Sequence, residues 1–206
     1  MRKQQRPPEP TAFIENSAKW RDQWLELKAR NPGAGFQWYA FGGKTAREWA
    51  LPALREMNQE HCSFCDAFPL RDRVKIPIEH FRPKLNSSRP EFASLAYDWS
   101  NLYYCCPFCQ SEKGEKWDDG LIAPDEPGYS FEQYFRFDFT TGAILLNPFA
   151  AANDRVRAEV TIRLYGLDKP DKRRARLLAL RQWTNSIEKI LDESSYRDFV
   201  EPAEKP

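Results

Sequence analysis

Cys62-Ser63-Phe64-Cys65 and Cys106-Pro107-Phe108-Cys109, with Ile78-Glu79-His80-Phe81-Arg82-Pro83-Lys84 between them, decide how this chain is read. Two short Cys-x-x-Cys pairs supply the four thiolates that a closed tetrahedral zinc site requires. Five cysteines placed at random would seldom give one such pair, and rarely two. A thioredoxin-like redox motif would follow a strand and open a helix, and nothing here has that pattern. Cys105 is the leftover thiol: only Cys106 lies three residues before Cys109, so Cys105 reads as a small buried hydrophobe. A zinc held by four sulfurs has no open position, so its role is structural. Site formation coupled to folding offsets the entropy of closing the long segment between the pairs.

Composition sets the outer bounds. The chain has 206 residues and carries 31 Lys and Arg against 30 Asp and Glu, a net charge of +1. A free-standing nucleic-acid binder is usually more basic. Any such contact is therefore a local patch or is supplied by a partner. Seven tryptophans and an aromatic content of 14% suffice for a core. No run of about 18 apolar residues exists to span a membrane, and Met1–Arg6 lacks the apolar stretch of a signal peptide. The expected setting is the cytoplasm, where reduced thiols favour metal over disulfides.

Around the pairs, apolar periodicity predicts a helix from Thr11 to about Arg30, with Phe13, Trp20, Trp24 and Leu27 on its buried face. Asn31-Pro32-Gly33 stops it. Thr45 is a candidate N-cap for a helix to about Met57, with Pro52 marking a bend or a late start. Val74 to Phe81 reads as an edge strand, with Ile76, Ile78 and His80 on one face. Residues 84–100 read as a loop, Leu102–Cys105 as a strand and Pro107–Lys116 as a helix. Phe135–Phe139 and Ala143–Leu146 predict a hairpin. Two helices follow, from about Ala150 to Tyr165 and from an Asp168 N-cap to about Asp192. Lys172, Arg173, Arg174, Arg176 and Arg181 make the start of the last helix basic. It is either a solvated face or a contact for nucleic acid or an acidic partner. The expected organisation is a helical extension over 1–60, a zinc-braced core over 61–118, and a hairpin with C-terminal helices over 119–206.

The chain has two histidines. His61 abuts the first sulfur and reads as a surface residue, with a spare metal ligand as the alternative. His80 sits among Glu79, Arg82 and Lys84 and has an ordinary pKa suited to a general base near neutrality. In a regular strand Glu79 and His80 point to opposite faces, so sharing one site requires the strand to end or twist there.

Cys62-x-x-Cys65, Glu79-His80, Asp98-Trp99-Ser100-Asn101-Leu102 and Cys106-x-x-Cys109-Gln110-x-x-Lys113-Gly114 together resemble the HNH endonucleases. More narrowly they resemble the PtuB-like branch, the HNH partner of an ABC-type ATPase in Septu and related retron anti-phage systems. The motifs cover about residues 61–114. Outside them, the basic, proline-containing start and Thr161–Leu167 followed by an Arg-rich helix are similar more loosely.

The resemblance implies an α+β fold with a zinc-braced ββα-metal core and helical extensions. It implies metal-dependent phosphodiester cleavage of DNA, with RNA left open, alongside an ATPase subunit. His80 would be the base that deprotonates water, and Asn101 would orient its ring. Glu79 and Gln110 would hold a catalytic Mg²⁺ or Mn²⁺. Gln110 stands where the pattern usually has Asn, one methylene shorter. Arg82, Lys84 and Lys113 are candidate phosphate contacts, and Asp98 and Trp99 would fix the loop presenting Asn101. The alternatives are a non-catalytic zinc-stabilised adaptor and a stand-alone McrA-like restriction nuclease.

Overall fold

The computed structural model describes residues 1–70 and 77–202. The described residues build a mixed fold from helices and three small antiparallel sheets, each of two strands. Helix α1 (Thr11–Arg30) buries Phe13, Trp20 and Trp24 on the face their spacing predicts. Strands β1 (Ala40–Phe41) and β2 (Lys44–Thr45) form a tight hairpin. It leads straight into α2 (Ala46–Met57). Thr45 and Glu48 form a reciprocal capping box, which satisfies two otherwise orphaned backbone donors. The helix starts there and runs through Pro52, so of the two readings of that proline, a bend or a late start, the late start is not found.

Strand β3 (Ile78–His80) pairs with β4 (Leu102–Tyr104), placing Glu79 opposite Tyr103 and His80 opposite Leu102. Helix α3 (Pro107–Lys113) follows at once. The expected strand positions 74–76 lie outside the described residues, as do the final residues 203–206. The segment read as a loop over 84–100 instead contains a 3-10 turn at Pro90–Leu95 and a second one begins at Trp99. Pro90 opens the first, and the Asp98 carboxylate caps the second by accepting from Ser100 N at 2.8 Å. Arg6 braces this region from the N-terminal stretch. It donates to Trp99 O and Leu102 O and pairs with Asp125 at 2.7 Å.

A short helix, α4 (Phe131–Tyr134), precedes β5 (Phe135–Asp138), which pairs with β6 (Ala143–Leu146). Their turn is pressed against α6 (Pro170–Asn185), which follows α5 (Ala152–Tyr165). Gly142 has a positive φ of 71°, and a Cβ there would sit 2.5 Å from Arg173 O. Only glycine meets both conditions. A last short helix, α7 (Arg197–Val200), returns to the first cysteine pair, where the Asp66 carboxylate is paired with Arg197 at 2.7 Å. One buried cluster runs through these elements and includes Trp20, Leu54, Tyr103, Cys109, Tyr165 and Phe199.

Two C-terminal expectations fail. Helix α6 ends at Asn185, where Ser186 turns extended and its hydroxyl donates to Gln182 O, an end carbonyl. Asp168 is not its N-cap. That position is Lys169, while the Asp168 carboxylate accepts from Ile144 N at 2.9 Å and pairs with Arg173. The neighbouring strand takes the side chain that a local reading assigns to the helix.

Candidate metal centre and adjoining cleft

The two cysteine pairs meet where the turn after α2 packs on the β4–α3 junction. The four sulfurs of Cys62, Cys65, Cys106 and Cys109 lie within 4.8 Å of one another and are buried. A tetrahedral zinc with Zn–S bonds of about 2.3 Å separates its sulfurs by roughly 3.8 Å. Cys65 Sγ and Cys106 Sγ are 3.7 Å apart. The cluster therefore fits a zinc ion. Backbone donors reinforce it, with Cys106 N–H on Cys62 Sγ at 3.3 Å and Cys109 N–H on Cys106 Sγ at 3.4 Å. Cys105 is buried and outside the four.

His61 is not on the surface. It is fully buried, stacked on Phe68 with ring centroids 4.4 Å apart. Its nitrogens face Gln59 O and Ser194 O. The chain around Ser194–Tyr196 folds back over the first knuckle, a contact no local pattern announces. The basic face of α6 also resolves differently from its reading. Lys172 and Arg176 are buried. Lys172 Nζ lies 3.0 Å from Cys65 Sγ, and Arg176 donates to Gly142 O and Leu167 O. Arg173 pairs with Asp168. Of the five cations, only Arg174 and Arg181 are exposed. A sequence signal existed: Lys172 and Arg176 share the helical stripe of Ala179 and Trp183, both buried.

Beside the sulfur cluster, β3, the turn after it and α3 enclose a cavity of about 260 Å³, lined by Glu79, His80, Lys84, Gln110 and Glu115. Glu79 and His80 both line it because β3 ends at His80, so strand alternation does not separate them. The His80 ring is held on three sides. Nε2 is 3.0 Å from Ala96 O, Trp38 stacks on the ring at 5.4 Å, and Phe36 meets it edge-on at 5.1 Å. A carbonyl only accepts, so Nε2 carries the hydrogen and Nδ1 of the neutral ring is bare. That Nδ1 is buried without a hydrogen-bond partner among the described residues. Burial, aided by the Lys84 ammonium, keeps His80 well below the usual imidazole range, hence neutral.

Glu79 is buried and its Oε1 lies 2.6 Å from Lys113 Nζ. Lys113 is fully buried and also donates to His80 O at 3.0 Å and Gly114 O at 3.5 Å. Burial pushes the Glu79 carboxyl up to about 7 against the pull of Lys113. The Gln110 amide nitrogen reaches Ile78 O at 3.4 Å, leaving its oxygen for another partner. Asn101 works on the backbone. Its oxygen accepts from Arg82 N at 2.7 Å, and its nitrogen donates to Arg82 O and Leu95 O, both at 3.0 Å. It thereby fixes the turn after His80 and the residue preceding Ala96. Arg82 is exposed, its guanidinium 5.7 Å from the Trp117 ring. Lys84 is half-buried over Phe36.

Among the described residues no helix is long and apolar enough to cross a membrane. No protein-family model matches the chain. Over 113 residues it is 26% identical to the Septu protein PtuB of Bacillus thuringiensis, a match covering 53% of this chain and 35% of that relative. The chain is thus distantly similar to a Septu protein over about a third of the relative's length.

Proposed function

We propose that the cleft is the active site of a metal-dependent HNH-type endonuclease that acts in anti-phage defence with an ATPase partner. The supporting observation is His80. Its ring is fixed through Nε2 while Nδ1 is neutral and unpartnered, and it shares one cavity with Glu79 and Gln110. A buried polar atom without a partner is costly unless a ligand or water completes it. The distant likeness to a Septu protein supports the defence setting.

In this reading His80 Nδ1 takes a proton from the attacking water. A divalent ion held by Glu79 and the Gln110 amide oxygen would neutralise charge on the phosphate and its leaving oxygen. Oxygen donors suit Mg²⁺ or Mn²⁺. Asn101 keeps the turn after His80 in place, and Arg82 and Lys84 hold adjoining phosphates. Lys113, with its ammonium saturated inside the protein, holds Glu79. The sulfur cluster braces both ends of the segment carrying these residues and takes no part in the chemistry. With a net charge of +1, most of the affinity for nucleic acid comes from the partner.

A second reading has its own observation. The carboxylate a metal needs is already engaged by Lys113, as it would be in a non-catalytic zinc-stabilised adaptor. Purified protein with its ATPase partner and Mg²⁺ or Mn²⁺, assayed on DNA and RNA, separates the two. Cleavage by the wild type that is lost in His80→Ala supports the nuclease. Absence of cleavage on every substrate with both metals supports the adaptor.

A further inference from the structure

Lys172 presents a problem that the sulfur cluster solves. Its ammonium is buried, 3.0 Å from Cys65 Sγ, 3.9 Å from Cys106 Sγ and 4.5 Å from the centre of the Phe108 ring. None of its contacts among the described residues is a carboxylate. An ammonium taken out of water needs a negative partner. A thiol is a weak acceptor and offers little, whereas a thiolate carries the required charge. Lys172 belongs to the first turn of α6, far along the chain from Cys65, so chain proximity does not explain the contact.

Two other cations of the basic run have their own partners. Arg176, one turn further along, is tied to Gly142 O and Leu167 O, and Arg173 to Asp168. These bonds fix the start of α6 and leave the Lys172 ammonium, among the described residues, to the sulfurs and the face of the Phe108 ring. A zinc ion with four thiolates has a net charge of two minus, and backbone N–H groups neutralise it only in part. They reach Cys62 and Cys106.

We infer that Lys172 is the outer counter-charge of a zinc–tetrathiolate centre, donating to the Cys65 thiolate and thereby tying α6 to the metal knuckle. It is a positioning residue, acting on the ion through its ligand. The inference rests on the zinc reading of the four cysteines. Partners of this outer kind typically change metal affinity 10- to 100-fold when removed. Because the charge is what matters, Met at this position keeps the bulk of the stem and loses the function, and Arg retains it.

The test begins with metal content of the full-length protein and then measures zinc transfer to a competing chelator for wild type, Lys172→Met and Lys172→Arg. About one zinc per chain is expected, with affinity weakened at least about 10-fold in Lys172→Met and restored in Lys172→Arg. Cobalt-substituted protein gives an independent readout. Loss of the donor to Cys65 should move the thiolate-to-cobalt charge-transfer band to lower energy in Lys172→Met only, a shift that lost packing alone would not produce. Wild type without zinc overturns both the zinc reading and the inference. Wild type with zinc, together with equal affinity and an unmoved band in Lys172→Met, overturns the inference alone. If Lys172→Met does not accumulate folded, Lys172→Arg decides: full zinc retention supports the counter-charge, and zinc loss despite the kept charge overturns it.

Discussion

The sulfur cluster and the cleft lie side by side, and each contains one buried lysine. Lys172 sits 3.0 Å from Cys65 Sγ, and Lys113 sits 2.6 Å from Glu79 Oε1. The surroundings differ. The four sulfurs face one another and are buried, and two of them, on Cys62 and Cys106, accept from backbone N–H groups. The cleft keeps a cavity of about 260 Å³ and a bare His80 Nδ1. A polar site that is complete in itself contributes to the fold, and one left incomplete is where a ligand is accommodated. In the proposed reading the first region supplies stability and the second chemistry. Experiments that load the wrong effect onto either region would break that division.

The largest effect should come from the sulfur side. Structural zinc contributes about 10–16 kcal/mol of apparent binding free energy, which is also folding free energy. Chelation, or Cys62→Ser, should abolish the cooperative thermal transition followed by circular dichroism. A chelated protein that melts like the untreated one would remove the cluster from its scaffold role. On the cleft side, His80→Ala should lower metal-dependent cleavage by about 10²- to 10⁴-fold, the usual worth of a general base. Zinc content should stay as in the wild type, and a modest fall in melting temperature should report the lost packing against Phe36 and Trp38. Undiminished cleavage would take His80 out of the chemistry.

The two lysines allow a sharper comparison. Lys113→Met takes the paired ammonium from a carboxyl that burial already raises to about 7. Glu79 must then either stay protonated in the folded protein or be buried as an unpaired charge, a defect that typically costs about 3–5 kcal/mol, and the loss should grow as pH rises. Urea unfolding should register that loss. Adding Glu79→Gln should recover much of it, since both charges are then gone. If Lys113→Met alone unfolds at the wild-type urea midpoint, the pair is not what holds Glu79.

What could be read in advance follows the range of the interactions. Helix α1 was legible from Phe13, Trp20 and Trp24, and α2 from the Thr45 cap, because periodicity and capping are local. The sulfur cluster was legible because each pair is a fixed local turn, and the two pairs need each other. The burial of His61 was not, because it depends on Ser194, which lies 133 residues away. The basic run of α6 was misread for a related reason. Charges on a helix suggest solvent, but Lys172 and Arg176 fall on the stripe of Ala179 and Trp183 and are satisfied by sulfur and backbone carbonyls. The grip of Lys113 on Glu79 lay between two expected site residues, yet only the packing of α3 against the end of β3 sets their distance.

The smallest effect tests the rim of the cleft. Arg82 is exposed, and its backbone is clamped on both sides by Asn101. Its guanidinium also lies 5.7 Å from Trp117, an exposed cation–π contact worth only about 0.5–1 kcal/mol. If Arg82 holds a phosphate, Arg82→Gln should weaken nucleic-acid binding evenly across sequences and reduce the salt slope by about 1. Melting temperature should barely move. If its role is confined to Trp117, the slope will be unchanged and only a slight loss of stability will appear. Because the side chain is solvated in either case, the salt dependence is the measurement that discriminates. A binding constant at one ionic strength would mix the charge effect with any shift in the clamped turn. An altered slope with intact zinc and intact folding would place nucleic acid at the cleft side, leaving the sulfur side as its support.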